Sequence, residues 1–247
     1  MSVLLKAENL HIAFGGVKAA NGVNLHINEG EFLAIIGANG SGKTTFLNLC
    51  TGYIRPVEGE VYLDGQPITK LPPRTIARKG IARAFQIPQL FLDQRVLDNL
   101  MLAIASREGL WQPLKALDRK EYREEAMELL SMFNLADCAT DMASTLPEGR
   151  RKLVDIAMAM ALKPRLVLLD EPTSGVSAIE RFQLMETLMH ALRQAKVSAL
   201  FVEHDMDVVE RYADRVVVWE AGKVMVEGKP ETVFKDERVI QNVIGVA

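Results

Sequence analysis

Residues 37–44 read Gly-Ala-Asn-Gly-Ser-Gly-Lys-Thr, the spacing G-x-x-x-x-G-K-[ST] that wraps a polyphosphate. Gly37, Gly40 and Gly42 let the backbone run close to an anion, because a Cβ would block the approach. The loop N–H groups, including those of Asn39, Ser41 and Thr45, and the following helix N-terminus then face the phosphates. Lys43 reaches the outer phosphates, and the Thr44 hydroxyl holds Mg²⁺. An apolar run at 32–36 supplies the preceding strand, and 45–49 supplies the first turns of the helix. Nucleotide binding is the chemistry this pattern predicts.

A second group of reactive side chains lies at predicted strand ends. Residues 166–171, Leu-Val-Leu-Leu-Asp-Glu, form an apolar strand ending in two carboxylates. Side chains alternate along a strand, so Asp170 and Glu171 are suited to different tasks. Asp170 is expected in the Mg²⁺ shell, and Glu171 is expected to polarise the attacking water. Alone, such a pair is equally a solvated strand end; after a phosphate loop it becomes a catalytic candidate. His204 follows the strand 199–202 and is placed to contact a γ-phosphate, although a single His there is as readily structural. Gln86 ends the strand 81–85 and can sense the metal or the water, or be a polar cap.

These side chains need a frame, and the pattern along the chain describes one. Residues 4–14, 23–27 and 31–36 read as strands, with Gly15-Gly16 and Glu29-Gly30 as turns. Residues 59–63 form a further strand ending at Asp64-Gly65, and 74–79 a short helix after Pro72-Pro73. From about 96 to 138 the texture is helical, with Tyr122, Ala126, Leu129, Leu130 and Phe133 on one face and 109–113 as a loop. A helix over Leu153, Ile156, Ala157, Met160 and Ala161, a helix at 179–195, and a hairpin of 215–219 with 223–227 complete the pattern. The expected fold class is α/β. It is a P-loop NTPase core, a mainly parallel sheet flanked by helices, with an N-terminal antiparallel β subdomain and a helical insertion at about 90–147. The chain is expected to be a single domain, 1–247.

Composition limits the partners. The chain of 247 residues is 49% hydrophobic with a net charge of −3 and no long basic block, so broad electrostatic binding to nucleic acid is not expected. The two cysteines, Cys50 and Cys138, have no metal-ligand spacing and fit a reducing compartment. No signal-peptide pattern opens the chain, and no uncharged apolar run approaches the ~18 residues of a membrane span. A soluble chain that docks on a membrane protein is expected.

With the phosphate loop, the Gln86 loop, the Asp170-Glu171 strand and His204 in this order, the chain resembles an ATP-binding-cassette ATPase over essentially its whole length. Phe-Gly-Gly-Val-Lys-Ala-Ala at 14–20, Ile-Ala-Arg-Lys-Gly-Ile-Ala-Arg-Ala-Phe-Gln at 76–86 and Val-Glu-His-Asp-Met-Asp-Val-Val at 202–209 are similar to ATPase subunits of branched-chain amino acid importers and their amide and urea relatives. The resemblance implies ATP and Mg²⁺ as cofactors and ATP hydrolysis coupled to transport. It places Phe14 against the adenine, where the alternative is a core strand aromatic. It also implies membrane-spanning permease subunits as partners, reached through the helical region and the Gln86 loop. An extracytoplasmic substrate-binding protein would act indirectly, and the chain would lie on the cytoplasmic face of the inner or plasma membrane.

The chain departs from the family at one place. The signature Leu-Ser-Gly-Gly-Gln, which faces the nucleotide of the other subunit in the active dimer, is here Leu146-Pro147-Glu148-Gly149-Arg150. Pro147 lacks a hydroxyl and an N–H, and Glu148 sets a carboxylate where phosphates arrive. Such a pair of like charges ~4 Å apart costs roughly 1 kcal/mol in water and ~4 at an effective dielectric of ~20. Arg150 and Arg151 are expected to offset part of this, and Ser177 stands where the family usually has Asp. A second, different ATPase subunit is therefore expected as partner in preference to a second copy. Two other readings stay open: a soluble ATPase of this superfamily in DNA repair or translation, and a subunit that binds ATP with little hydrolysis.

Overall fold

The computed structural model describes residues 2–108 and 119–241. The loop expected at 109–113 lies outside the described residues. Two sheets organise the chain. The first is antiparallel, in the order β2-β1-β4-β5, from β1 (Val3–Phe14), β2 (Val17–Asn28), β4 (Glu58–Leu63) and β5 (Gln66–Pro67). The second has the order β10-β9-β3-β8-β7-β6, from β3 (Phe32–Ile36), β6 (Ile81–Ala84), β7 (Leu166–Asp170), β8 (Ser198–Val202), β9 (Arg215–Glu220) and β10 (Lys223–Gly228). Within it β6, β7, β8, β3 and β9 pair in parallel, and β10 returns antiparallel to β9.

Strands β3, β7 and β8 are buried at every position, as their unbroken apolar runs require when both faces are covered. Alternation assigns each side chain to a face. Leu33, Ile35, Leu168, Leu200 and Trp219 pack with the antiparallel sheet and with α1 (Lys43–Cys50). Phe32, Ala34, Leu169, Phe201 and Val218 face the opposite core. That core is shared with α3 (Val96–Glu108), α4 (Lys120–Met132), α5 (Glu148–Ala161) and α6 (Ala178–Gln194). The short helices are α2 (Pro73–Arg78), α7 (Met206–Tyr212) and α8 (Pro230–Val233).

The architecture is the expected α/β class, with differences in detail. β2 begins at Val17 rather than 23, because Gly15 and Gly16 adopt positive φ and close a tight hairpin with β1. Lys18, Asn21 and Gly22 hide this strand from an apolar-run reading. Helices α7 and α8 were not anticipated; α7 is capped by Asp205, whose carboxylate accepts from the N–H groups of Asp207 and Val208.

The register sets the site. Ala84 pairs with Leu169, which brings Gln86 level with Glu171. Asp170 pairs with Val202, which brings His204 to the same edge. The carboxyl ends of β3, β6, β7 and β8 thus meet at one rim, where ligands of open α/β sheets bind.

Candidate functional site

The phosphate loop leaves β3 and enters α1 at Gly42, whose φ of 112° only glycine adopts without strain. A Cβ at Gly37 would sit 2.1 Å from the Trp219 carbonyl oxygen, and one at Gly42 would sit 2.1 Å from that of Ala19. At Gly40 a Cβ would meet nothing within 4 Å. Glycine at 37 and 42 is therefore demanded by neighbouring strands of the protein, a reason that adds to close approach of an anion. The loop is tied to the β9–β10 turn by the Gly222 N–H, which donates to the Ser41 carbonyl at 2.9 Å.

Lys43 is buried, and its Nζ donates to the carbonyls of Gly37 at 2.7 Å and Ala38 at 2.9 Å. Burial lowers its pKa, while Glu171 and Asp170 pull in the opposite direction. The Thr44 hydroxyl donates to Asp170 Oδ1 at 3.3 Å. The other oxygen of Asp170 accepts from Arg83 Nη2 at 2.8 Å, in a pair whose side chains are 5% and 4% exposed. Arg83 also bonds Asn48 of α1 and lies over the Phe85 ring. Asp170 is therefore locked by two elements, with Oδ1 turned toward Thr44.

Glu171 is the centre of the rim. Gln86 Nε2 donates to its Oε2 at 2.8 Å, and His204 Nε2 lies 3.0 Å from its Oε1. Both carboxylate oxygens are engaged, which fixes the plane of the group. Gln86, Asp170, Glu171 and His204 are thus brought together, with Thr44 and Lys43 beside them. The cleft at the phosphate loop, about 260 Å³, is lined by Phe14, Val17, Asn39, Gly40, Lys43, Thr44, Thr45 and Glu171. Phe14 is 51% exposed at its edge, so the structure gives it a place on the cleft and none in the core. Ser41 is buried, and among the described residues its hydroxyl has no hydrogen-bond partner.

The residues fit a magnesium nucleotide. Thr44, Asp170 and Gln86 offer hard oxygen donors, and the loop offers N–H groups beside a helix start that carries no acidic residue. Among the described residues no group of three or more His, Cys, Asp and Glu is arranged to hold a metal. A few protein oxygens completed by phosphate and water is the usual Mg²⁺ arrangement.

Four supporting residues escaped the sequence reading. Arg83 is described above. Lys152, 3% exposed, donates from Nζ to the carbonyls of Gln86 at 3.2 Å and Glu171 at 3.1 Å. Asp155 accepts from the N–H groups of Phe85 at 3.2 Å and Gln89 at 2.9 Å, and burial raises its pKa to about 6. Glu203 accepts from the N–H and hydroxyl of Thr173 and from the His204 N–H, and burial again raises its pKa. The available signal was charge in apolar patterns: Arg83 inside β6, and Lys152 and Asp155 beside the apolar stripe of α5.

The signature segment is built otherwise. Pro147 occupies the N-cap of α5 with no side-chain cap bond. Glu148 pairs with Arg151 at 2.5 Å, whereas Arg150 turns to Asp137 at 2.8 Å. Only one of the two arginines therefore offsets Glu148. Ser177 caps α6, accepting from the Glu180 N–H and donating to its carboxylate, the capping task an Asp also performs.

The family model described as "ABC transporter" matches residues 20–174. The chain belongs to the ABC transporter ATPase family. This ABC ATPase is 37% identical to the probable branched-chain amino acid transport ATP-binding protein LivG of Archaeoglobus fulgidus, over 98% of the chain and 95% of the relative. It is 35% identical to the high-affinity branched-chain amino acid transport ATP-binding protein BraF of Pseudomonas aeruginosa, over 99% and 98%. Its fold matches the crystal structure of the ADP conformation of MJ1267, an ATP-binding cassette of an ABC transporter, with a TM-score of 0.87, 32% identity and coverage of 99% and 100%. It also matches the dimeric post-hydrolysis state of the cassette MJ0796 bound to ADP and Pi, with a TM-score of 0.77, 29% identity and coverage of 92% and 99%.

Proposed function

We propose that this chain is the ATP-binding and hydrolysing subunit that powers an importer for branched-chain amino acids or related amides. The observation that carries the reading is Glu171, clasped by Gln86 and His204 on the same rim as Lys43, Thr44 and Asp170. Phe14 stacks on the adenine, and the loop N–H groups from Gly37 to Thr45 hold the phosphates. Lys43 leaves its carbonyl partners to meet the outer phosphates. Thr44, Asp170 and Gln86 would hold Mg²⁺, which when bound would supply neutralising charge beside the phosphates. Glu171 accepts the proton of the attacking water, while Gln86 and His204 keep its carboxylate aimed.

The chain acts as one domain, with residues 90–147 as a helical subdomain that contacts membrane-spanning permease subunits. Among the described residues no helix is long and apolar enough to cross a membrane. Attachment to the cytoplasmic face is therefore peripheral, through the permease, and an extracytoplasmic binding protein communicates indirectly. Nucleic acid has no part in this function. The preferred second ATPase is a different chain, because a second copy would present Pro147 and Glu148 to both nucleotides. Glu148 also favours one alternative, a nucleotide-binding subunit of low turnover.

Glu171→Gln tests the reading. It keeps shape and hydrogen bonds to Gln86 while removing the base, and general-base help contributes ~10²–10⁴-fold. MgATP binding by the purified chain should persist, and turnover of the complex with its co-purifying membrane subunits should fall by that factor. Parental turnover in the variant complex contradicts the assignment.

A further inference from the structure

Glu171 has a backbone that needs holding. Its φ is 50°, in the left-handed region where a side chain other than glycine is strained. Its N–H donates to the Val202 carbonyl at 3.1 Å, and its carbonyl is met by Lys152 Nζ at 3.1 Å. The same ammonium meets the Gln86 carbonyl at 3.2 Å. One buried cation therefore joins the main chains of the two residues whose side chains also meet at 2.8 Å.

Lys152 does not act alone on the Gln86 loop. Asp155, three residues on and hence on the same face of α5, accepts from the N–H groups on either side, Phe85 and Gln89. The loop is gripped by its carbonyl at 86 and by its amides at 85 and 89, all from one helix face. Among the described residues no carboxylate lies within ion-pairing distance of Lys152 Nζ, whose two bonded partners are both carbonyls of the rim. A buried charge spent on two main-chain carbonyls is costly unless their position matters.

We propose that Lys152 is a positioning residue of α5 that sets the catalytic geometry of Glu171 by tying its main chain to that of Gln86. The proposal rests on the reading of Glu171 as the base. Lys152 forms no hydrogen bond to the phosphate loop and does not line the cleft beside Phe14, so its effect falls on turnover far more than on nucleotide affinity. A misplacement of about 1 Å at a reacting group costs up to ~10²-fold. Because Lys152 works through Glu171, its removal adds nothing once Glu171 has lost its charge.

The test uses Lys152→Met, which keeps the stem and apolar packing and removes the donors, and Lys152→Arg, which restores donors. The expected result for Lys152→Met is MgATP affinity by calorimetry and a KM that change far less than kcat, with kcat lowered roughly 10–10²-fold in the assembled complex. Lys152→Arg should recover part of the loss, and Lys152→Met on Glu171→Gln should be no slower than Glu171→Gln. In the purified chain, hydrogen exchange should accelerate at residues 84–89 and 169–174 and stay unchanged in the phosphate loop. If Lys152→Met does not fold, Lys152→Gln takes its place under the same criteria. Parental turnover in Lys152→Met, or losses that multiply in the double variant, overturns the proposal while Glu171→Gln alone remains inactive. Turnover retained by Glu171→Gln would instead overturn the base assignment itself.

Discussion

The rim around Glu171 and the segment 146–150 both carry charged groups but hold them in different ways. At the rim, partners come from distant elements: Thr44 and Arg83 on Asp170, Gln86 and His204 on Glu171, Lys152 beneath both loops. At 146–150, Glu148 leans on Arg151 in its own turn, with side chains 38% and 32% exposed. Ser177 likewise bonds Glu180 three residues away. Such local, half-exposed pairs contribute only ~0.2–0.5 kcal/mol and adjust readily. The rim is over-determined and intolerant of change. The segment that a partner's nucleotide would face is loosely set and tunable.

Lys43→Ala should expose that intolerance. The loop backbone, fixed by Gly37 and Gly42 against Trp219 and Ala19, survives, and the charged donor is lost. A hydrogen bond to a charged group contributes ~1.5–3 kcal/mol, so MgATP affinity should fall roughly 10–10²-fold. Calorimetric titration with unchanged affinity would contradict the placement.

Pro147→Ser combined with Glu148→Gly should have a smaller effect of opposite sign. Removing a like charge that costs roughly 1 kcal/mol near water, partly offset by Arg151, should raise turnover of a site using this segment about fivefold. Equal rates for parent and variant in the same complex would show that Glu148 is no handicap.

The effect with least bearing on turnover lies in the helices behind the segment. Arg107 bonds Glu125 at 2.7 and 2.9 Å and Lys163 adds a contact at 3.1 Å, and these hold the Glu125 pKa down at about 2. A carboxylate whose folded pKa is depressed stabilises above its ordinary value near 4.5, and that stability is lost as pH falls toward 2. Glu125→Gln should cost about 1–2 kcal/mol in urea unfolding at pH 7 and have less effect near pH 2. An equal cost at both pH values would remove Arg107 and Lys163 as the cause.

The legible parts of the molecule were those encoded by neighbours in sequence. Apolar runs announced β3, β7 and β8, and the eight residues from Gly37 to Thr44 announced the loop. The ends of the parallel strands also gave Gln86, Glu171 and His204 a common address, because register follows from the sheet. The supports were less legible. Lys152 and Asp155 take meaning from contacts outside their own helix, including ones 66 residues away, and Arg83 from Asp170, 87 residues away. Glu203 was overshadowed by His204 beside it. The contacts of Arg150 were misjudged because Asp137, its partner, is invisible until the turn at Ala136–Cys138 forms.

The central claim is that this chain keeps a complete site for its own nucleotide and lends a weakened one. It is tested most directly by turnover of the assembled complex with Glu171→Gln in this chain, set against the equivalent substitution in the partner ATPase. The account predicts strong asymmetry: the change in this chain stops turnover, and the change in the partner leaves most of it. Equal loss from either substitution, or full activity from two copies of this chain unaffected by Pro147→Ser and Glu148→Gly, would contradict it.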